Sequence, residues 1–231
     1  MIIGALRQRL QHLHDILAAS LPAAALLHQQ SPLHLGAGDP VKVLIIAILS
    51  QATSDHNCLL AYNSLRQTYP SWEALALADE AQLAATIRAG GLANSKAARI
   101  KQVLAALKAE RGEYALDWLG ELERAEAYAW LTTLPGVGLK TAACVWAFGF
   151  NKPALPVDTH VFRVLNRLKI VNQSQPEKLQ VELETHTPPA IQRDLHVLLI
   201  HFGRTVCRPR NPLCEKCPLS GECPFFFAKS S

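Results

Sequence analysis

Leu134-Pro135-Gly136-Val137-Gly138-Leu139-Lys140-Thr141-Ala142 lies between two helix-like stretches, 122–133 and 139–148. Pro135 stops the first, because it lacks an N–H and its ring clashes with the preceding turn. Gly136 and Gly138 permit a tight turn with positive φ and no Cβ in the way. The next helix then opens with backbone N–H groups that have no intrahelical partner, and with the helix dipole these hold an anion well. A phosphate can approach closely where glycines line the turn. This is the physics of a helix–hairpin–helix clamp for a nucleic-acid backbone. An ordinary helix connection is the plainer alternative, and the motif alone leaves it open.

Outward from this turn, helix signals dominate. Segments 58–68, 79–88, 95–110, 122–133, 139–148, 160–169, 176–185 and 190–201 are rich in alanine and carry polar residues on one face. Breakers separate them: Pro70, Gly90 with Gly91, Gly112, Pro135 to Gly138, Pro153 with Pro156, and Pro188 with Pro189. Leu6, Leu10, Leu13, Ile16, Leu17 and Leu21 recur at helical spacing around Asp15. A docked amphipathic helix is therefore expected at the N-terminus, in preference to an organellar presequence in the nearly acid-free stretch up to Gln30. No secretory signal is read there. Val41–Leu49 is β-branched enough for a strand, and periodicity does not decide the matter. A strand there has no evident partner, so an all-α fold of eight to eleven short helices is expected.

Composition excludes several classes. The 231 residues are 49% hydrophobic and 18% charged, enough for a packed core and unlike a disordered chain. The longest aliphatic run, Val43–Leu49, is far too short to span a bilayer. The net charge of +4 is unevenly placed. Residues 1–132 hold 11 Lys and Arg against 12 Asp and Glu, whereas residues 133–231 hold 12 against 7. A basic excess confined to the part with the Gly136–Gly138 turn suggests a surface facing phosphates.

The six cysteines divide in the same way. Cys58 and Cys144 stand alone in apolar, helix-like stretches, where a thiol acts as a small hydrophobe. Cys207, Cys214, Cys217 and Cys223 follow one another in a C-x6-C-x2-C-x5-C pattern. Four soft thiolates in so short a loop can wrap one metal centre in a reducing compartment. Zinc usually takes two close pairs, and only one is present here; spacing alone leaves zinc and an iron–sulfur cube equally open. Upstream, Asp158 precedes a helical pattern and is an N-cap candidate. Capping would also hold that carboxylate rigid for catalysis. His160 beside it reads as structural.

LPGVGLKTA, then PVDTHVFRVLNR, then C-x6-C-x2-C-x5-C, together with ILSQATSD (Ile48 to Asp55) and GLANSKA (Gly91 to Ala97), resembles the endonuclease III family. That family is the iron–sulfur branch of the helix–hairpin–helix DNA glycosylase superfamily, and the likeness covers roughly residues 40–223. The resemblance implies an all-helical fold of two domains. Residues 33–152 would form a six-helix domain with the hairpin, and residues 1–32 with 153–231 a domain holding a [4Fe–4S] cluster. DNA would lie across the cleft between them. It also implies a bifunctional DNA glycosylase and AP lyase of base excision repair. Lys140 matches the nucleophile and Asp158 the carboxylate of the family. Cys207, Cys214, Cys217 and Cys223 match the cluster ligands, and Gly136, Val137 and Gly138 the phosphate-binding hairpin. Leu92 falls where the family inserts an apolar wedge into the base stack. Arg208 and Arg210, between the first two of these cysteines, lie in the loop that in the family meets the DNA backbone.

The chemistry agrees with this. A lysine near a helix N-terminus in a partly desolvated cleft has its charged form disfavoured and can attack C1′ of a flipped-out nucleotide. Relatives that only remove bases lack this lysine, so Lys140 favours the bifunctional activity. One departure concerns the residue that fills the hole left by the flipped base. Ungapped from Pro40, the family's glutamine falls on Ala52, with Gln51 one position earlier, which on a helix is a turn of about 100°. Oxidised pyrimidines are the expected substrate. A mismatched or deaminated base on the same fold is the first alternative, and a non-catalytic DNA-binding protein the second. The expected partner is double-stranded DNA with a damaged base or abasic site, bound by a monomer in the cytoplasm, associated with the nucleoid and not with a membrane.

Overall fold

The computed structural model describes residues 2–21 and 31–230, so part of the acid-free stretch up to Gln30 lies outside the described residues. The described residues are helical, without strands. The chain divides into two compact units, Gln30–Lys152, and Met1–Gln29 with Pro153–Ser231. No described helix is long and apolar enough to cross a membrane.

In the Gln30–Lys152 unit, the ambiguous apolar run is a helix, α1 (Pro40–Leu49). Asp39 caps it by accepting from the Lys42 N–H, and Pro40 occupies the first turn, where its missing N–H costs nothing. Every residue of α1 except Lys42 is buried. A helix enclosed on all sides needs apolar residues all round, which explains why the run shows no helical period. Around it stand α2 (Asp55–Thr68), α3 (Trp72–Leu77), α4 (Glu80–Thr86), α5 (Ala93–Arg111), α6 (Arg124–Leu131) and α7 (Leu139–Cys144). Ser54, Ser71 and Asp79 cap α2, α3 and α4, and Glu123 with Glu126 forms a capping box on α6. A π-helical turn, Val145–Gly149, extends α7. Cys58 and Cys144 are fully buried, as expected of core thiols.

The other unit contains α8 (Ile2–Ser20), α9 (Thr159–Arg167), α10 (Pro176–His186), α11 (Gln192–Thr205) and α12 (Pro224–Ser230); α8 is labelled after the first unit although it comes first in the chain. Leu10, Leu13 and Leu17 of α8 are buried against Val161 and Leu165 of α9, Leu183 of α10, and Leu198 and Phe202 of α11. That is the amphipathic N-terminal helix expected from its leucine spacing. The short helices α3 and α12 are additions to the expected set.

Before α9 the chain runs buried and without regular structure through 154–157. With no sheet to join, its polar backbone groups find side chains instead. Leu155 N–H donates to Glu184 Oε1 at 3.3 Å, and Val157 N–H to Gln180 Oε1 at 3.1 Å. His196 Nδ1 donates to the Pro156 carbonyl at 2.7 Å. These bonds fix the segment that delivers Asp158.

Candidate active site and nucleic-acid interface

The hairpin is anchored by its apolar residues. Leu134 and Val137 are buried, and the Val137 N–H donates to the Leu134 carbonyl at 3.1 Å. Gly136 takes φ +74°, and a Cβ there would come within 2.6 Å of Arg99 Cδ. Gly138 differs from expectation: its φ is −93°, ordinary extended backbone. A Cβ on Gly138 would meet nothing within 4 Å. The fold therefore does not require glycine at 138, although glycine there leaves the surface bare at the start of α7. Lys140, half-buried, is the second residue of α7. Its charge reaches the Cys58 thiol, whose pKa is pushed up to about 12, chiefly by burial and further by Asp55, against the opposing pull of Lys96 and Lys140.

Gln51 is brought to the hairpin. Its Nε2 donates to the Gly136 carbonyl at 3.1 Å, and its Oε1 accepts from Arg99 Nη1 at 2.8 Å. Ala52 is exposed at φ +50°. Leu92 precedes α5 in the left-handed region, at φ +49°, and is 62% exposed. Such a conformation is costly for a branched side chain and marks a position whose surroundings over-determine it.

In the other unit, Asp158 caps α9, and its Oδ1 accepts from the N–H groups of His160 and Val161, each at 2.8 Å. Both bonds fall on one oxygen, so capping does not consume Oδ2. Burial holds His160 below its ordinary pKa, with Arg163 and Arg204 acting in the same direction against Asp158 and a backbone contact to Gly203. The far end of α9 meets the cysteine loop. Arg163 donates to the Cys207 carbonyl, and Arg167 to Cys207 Sγ at 3.6 Å and to the Arg208 and Pro209 carbonyls. The side chains of Arg208 and Arg210 are exposed.

Cys207, Cys214, Cys217 and Cys223 all line one partly open hollow, with Leu168, Phe202 and Phe226 among its apolar walls. Burial pushes the Cys217 thiol up to about 11, and the other three sulfurs raise it further, against an N–H bond from Leu219 to its Sγ. Among the described residues, no three His, Cys, Asp or Glu side chains are placed to hold a single metal ion. Four soft donors spread around an apolar hollow suit a polynuclear centre, which is larger than one ion and tolerates low polarity.

Sequence reasoning missed Arg99, Lys96, Gln180, Glu184 and His196. Lys96 is fully buried, and its Nζ donates to the carbonyls of Leu49 at 2.6 Å and Gly90 at 2.7 Å. A signal existed: Lys96 lies in line with Ile100, Val103 and Leu107 on the buried stripe of α5. Gln180 and Glu184 likewise stand four residues apart beside Leu179 and Leu183 on α10.

Residues 45–189 match the family described as HhH-GPD superfamily base excision DNA repair protein. Endonuclease III of Thermotoga maritima is 39% identical over 188 residues, which are 81% of this chain and 84% of the relative. Endonuclease III of Rickettsia conorii is 35% identical, over 80% of this chain and 84% of its own. Among solved structures, a trapped endonuclease III–DNA covalent intermediate superposes with a TM-score of 0.81 at 28% identity, covering 97% of this chain and 99% of that one. A thermostable thymine-DNA glycosylase gives a TM-score of 0.73 at 25% identity, over 93% of this chain and 98% of that one. With a family match through its hairpin and Asp158, and relatives alike over most of their length, the chain belongs to the endonuclease III family of the HhH-GPD superfamily.

Proposed function

We propose that Lys140 is the nucleophile with which this base-excision-repair DNA glycosylase and AP lyase removes oxidised pyrimidines. The observation that carries the reading is the position of Lys140, two residues beyond a glycine that the fold does not need and that leaves the turn bare for a phosphate. Backbone N–H groups at such a turn position the strand. Leu92, exposed in a left-handed conformation, supplies the wedge that replaces a flipped base.

The neutral amine of Lys140 attacks C1′ as the bond to the base breaks. The base departs with that electron pair and gains a proton, while the amine loses one. Ring opening leaves an iminium between Nζ and C1′. Loss of a C2′ proton then expels the 3′ phosphate, cutting the strand by β-elimination. Asp158 stabilises positive charge at the sugar or carries the proton. Its rigid capping geometry suits either task.

Cys207, Cys214, Cys217 and Cys223 would hold the [4Fe–4S] cluster. When bound, that group would supply a fixed centre to order the loop carrying Arg208 and Arg210, with its thiolate ligands serving structure and not the reaction. The two arginines meet the DNA backbone, Gln51 supports the hairpin beside the flipped nucleotide, and the protein works as a monomer on nucleoid DNA in the cytoplasm. The likeness to a thymine-DNA glycosylase keeps a mismatched base as the second reading.

Base release and strand scission on a panel of duplexes test the proposal. Wild type is expected to release thymine glycol faster than mismatched thymine or uracil, and to nick the strand. Lys140→Gln is expected to lose nicking. Preference for a mismatch would overturn the substrate, and nicking by Lys140→Gln would overturn the nucleophile.

A further inference from the structure

We propose that Lys96 is a positioning residue for base extrusion, its buried ammonium clasping the carbonyls of Leu49 and Gly90 so that the turn bearing Leu92 is held still. This rests on the reading of Leu92 as the wedge. Lys96 has no exposed surface and, among the described residues, makes no ion pair. A buried ammonium without a carboxylate is an expensive way to fill space that methionine would fill at less cost. Burial accordingly holds its pKa below the ordinary lysine value, with the Cys58 thiol opposing and Arg99 adding to the effect.

Both acceptors explain the need for a cation. Leu49 is the last residue of α1, and Gly90 the last of the 3-10 turn Arg88–Gly90. Carbonyls at helix C-termini lack intrahelical donors and carry the negative end of the dipole. Immediately beyond Gly90 come two successive residues of positive φ, Gly91 at +68° and Leu92 at +49°. The Lys96 side chain grips this turn on its near side, Nζ on the Gly90 carbonyl at 2.7 Å, while the first helical bond of α5, from the Lys96 N–H to the Leu92 carbonyl at 2.9 Å, holds the far side. The bond to Leu49 ties the same turn to α1, two residues before Gln51, which bonds the hairpin. A wedge forced between stacked bases acts only if its backbone does not yield, and the helix start holds only one side of Leu92, so the lysine clasp on the other side is a mechanical requirement of extrusion.

The test compares two single-turnover rates in one protein: release of thymine glycol from intact duplex, which needs extrusion of a paired base, and scission at a preformed abasic site, which has no base to extrude. For Lys96→Met the ratio of release to scission is expected to fall by about ten-fold or more, as small misplacements at a site do. Lys96→Gln keeps two N–H donors on a shorter stem, and its ratio is expected to fall by a smaller factor; it serves in the same role should Lys96→Met not fold. Leu92→Ala is expected to lower the ratio too, and the Leu92→Ala/Lys96→Met pair to lower it no further than the worse single variant. An unchanged ratio in the Lys96 variants, or a multiplicative loss in the pair, overturns the proposal. If Leu92→Ala leaves the ratio unchanged, the wedge reading itself fails; if it lowers the ratio while the Lys96 variants do not, only the clasp fails.

Discussion

The side-chain amide of Gln51 donates to the carbonyl of Gly136 at 3.1 Å, across 85 residues of sequence. Arg99 completes the arrangement, accepted by Gln51 Oε1 at 2.8 Å and packed where a Cβ on Gly136 would be. The hairpin is therefore braced by a carboxamide and a guanidinium, not by its own turn alone. Arg99→Ala removes a charge-assisted bond and loosens Gly136. Affinity for an abasic-site duplex, measured by titration, is expected to weaken by roughly ten-fold, since one such partly exposed bond contributes about 1–2 kcal/mol. Unchanged affinity would show that the brace does not support binding.

The two hairpin glycines are expected to separate stability from binding. Gly136→Ala meets both a positive φ and Arg99, and should destabilise by about 1–3 kcal/mol in thermal or denaturant unfolding. Gly138→Ala meets neither obstacle, and should leave stability within about 0.5 kcal/mol while weakening DNA binding. Equal behaviour of the two variants in both measurements would contradict these roles.

Asp158 depends on the buried strip behind it. Gln180→Leu strands the Val157 N–H in the interior, at a cost of about 1–3 kcal/mol to folding. Because Val157 adjoins Asp158, the rate of base release is expected to fall as well, at temperatures where the variant is fully folded. Full activity there would mean that Asp158 is placed without this support.

His160 gives a pH signature. Its folded pKa lies below the ordinary 6.5, so the unfolded chain binds the extra proton first as pH falls. Stability from keeping His160 neutral is present above 6.5 and is lost as pH drops through the lower folded value. His201, lowered by burial and by Arg204, acts in the same direction. Unfolding midpoints measured from pH 8 to 5 should decline, and less steeply in His160→Gln. An identical slope in that variant would assign the decline elsewhere.

Much of this protein is legible in its sequence, for physical reasons that differ by site. Turns declare themselves because Pro135, Gly136 and the Gly90–Gly91 pair each change what the backbone can do. The cysteine loop is legible because its four thiols fall within 17 residues of sequence. Val41–Leu49 is not, because a helix enclosed on all sides loses the period that identifies it. Gly138 shows the limit of reading glycine as φ, since its conformation is ordinary and only the space beside it is unusual. Lys96 resembles the solvated cations of α5 until its register with Ile100 and Val103 is noticed. The partners of Gln51 and of the Ala154–Val157 strip are remote in sequence, and no local pattern announces them.

The central claim, that Lys140 is the nucleophile, is tested most directly by borohydride reduction of the protein on an abasic-site duplex, followed by peptide mapping of the adduct. One covalent adduct is expected, on Lys140, and none in Lys140→Gln. An adduct on any other residue, or one formed equally well by Lys140→Gln, would contradict the account.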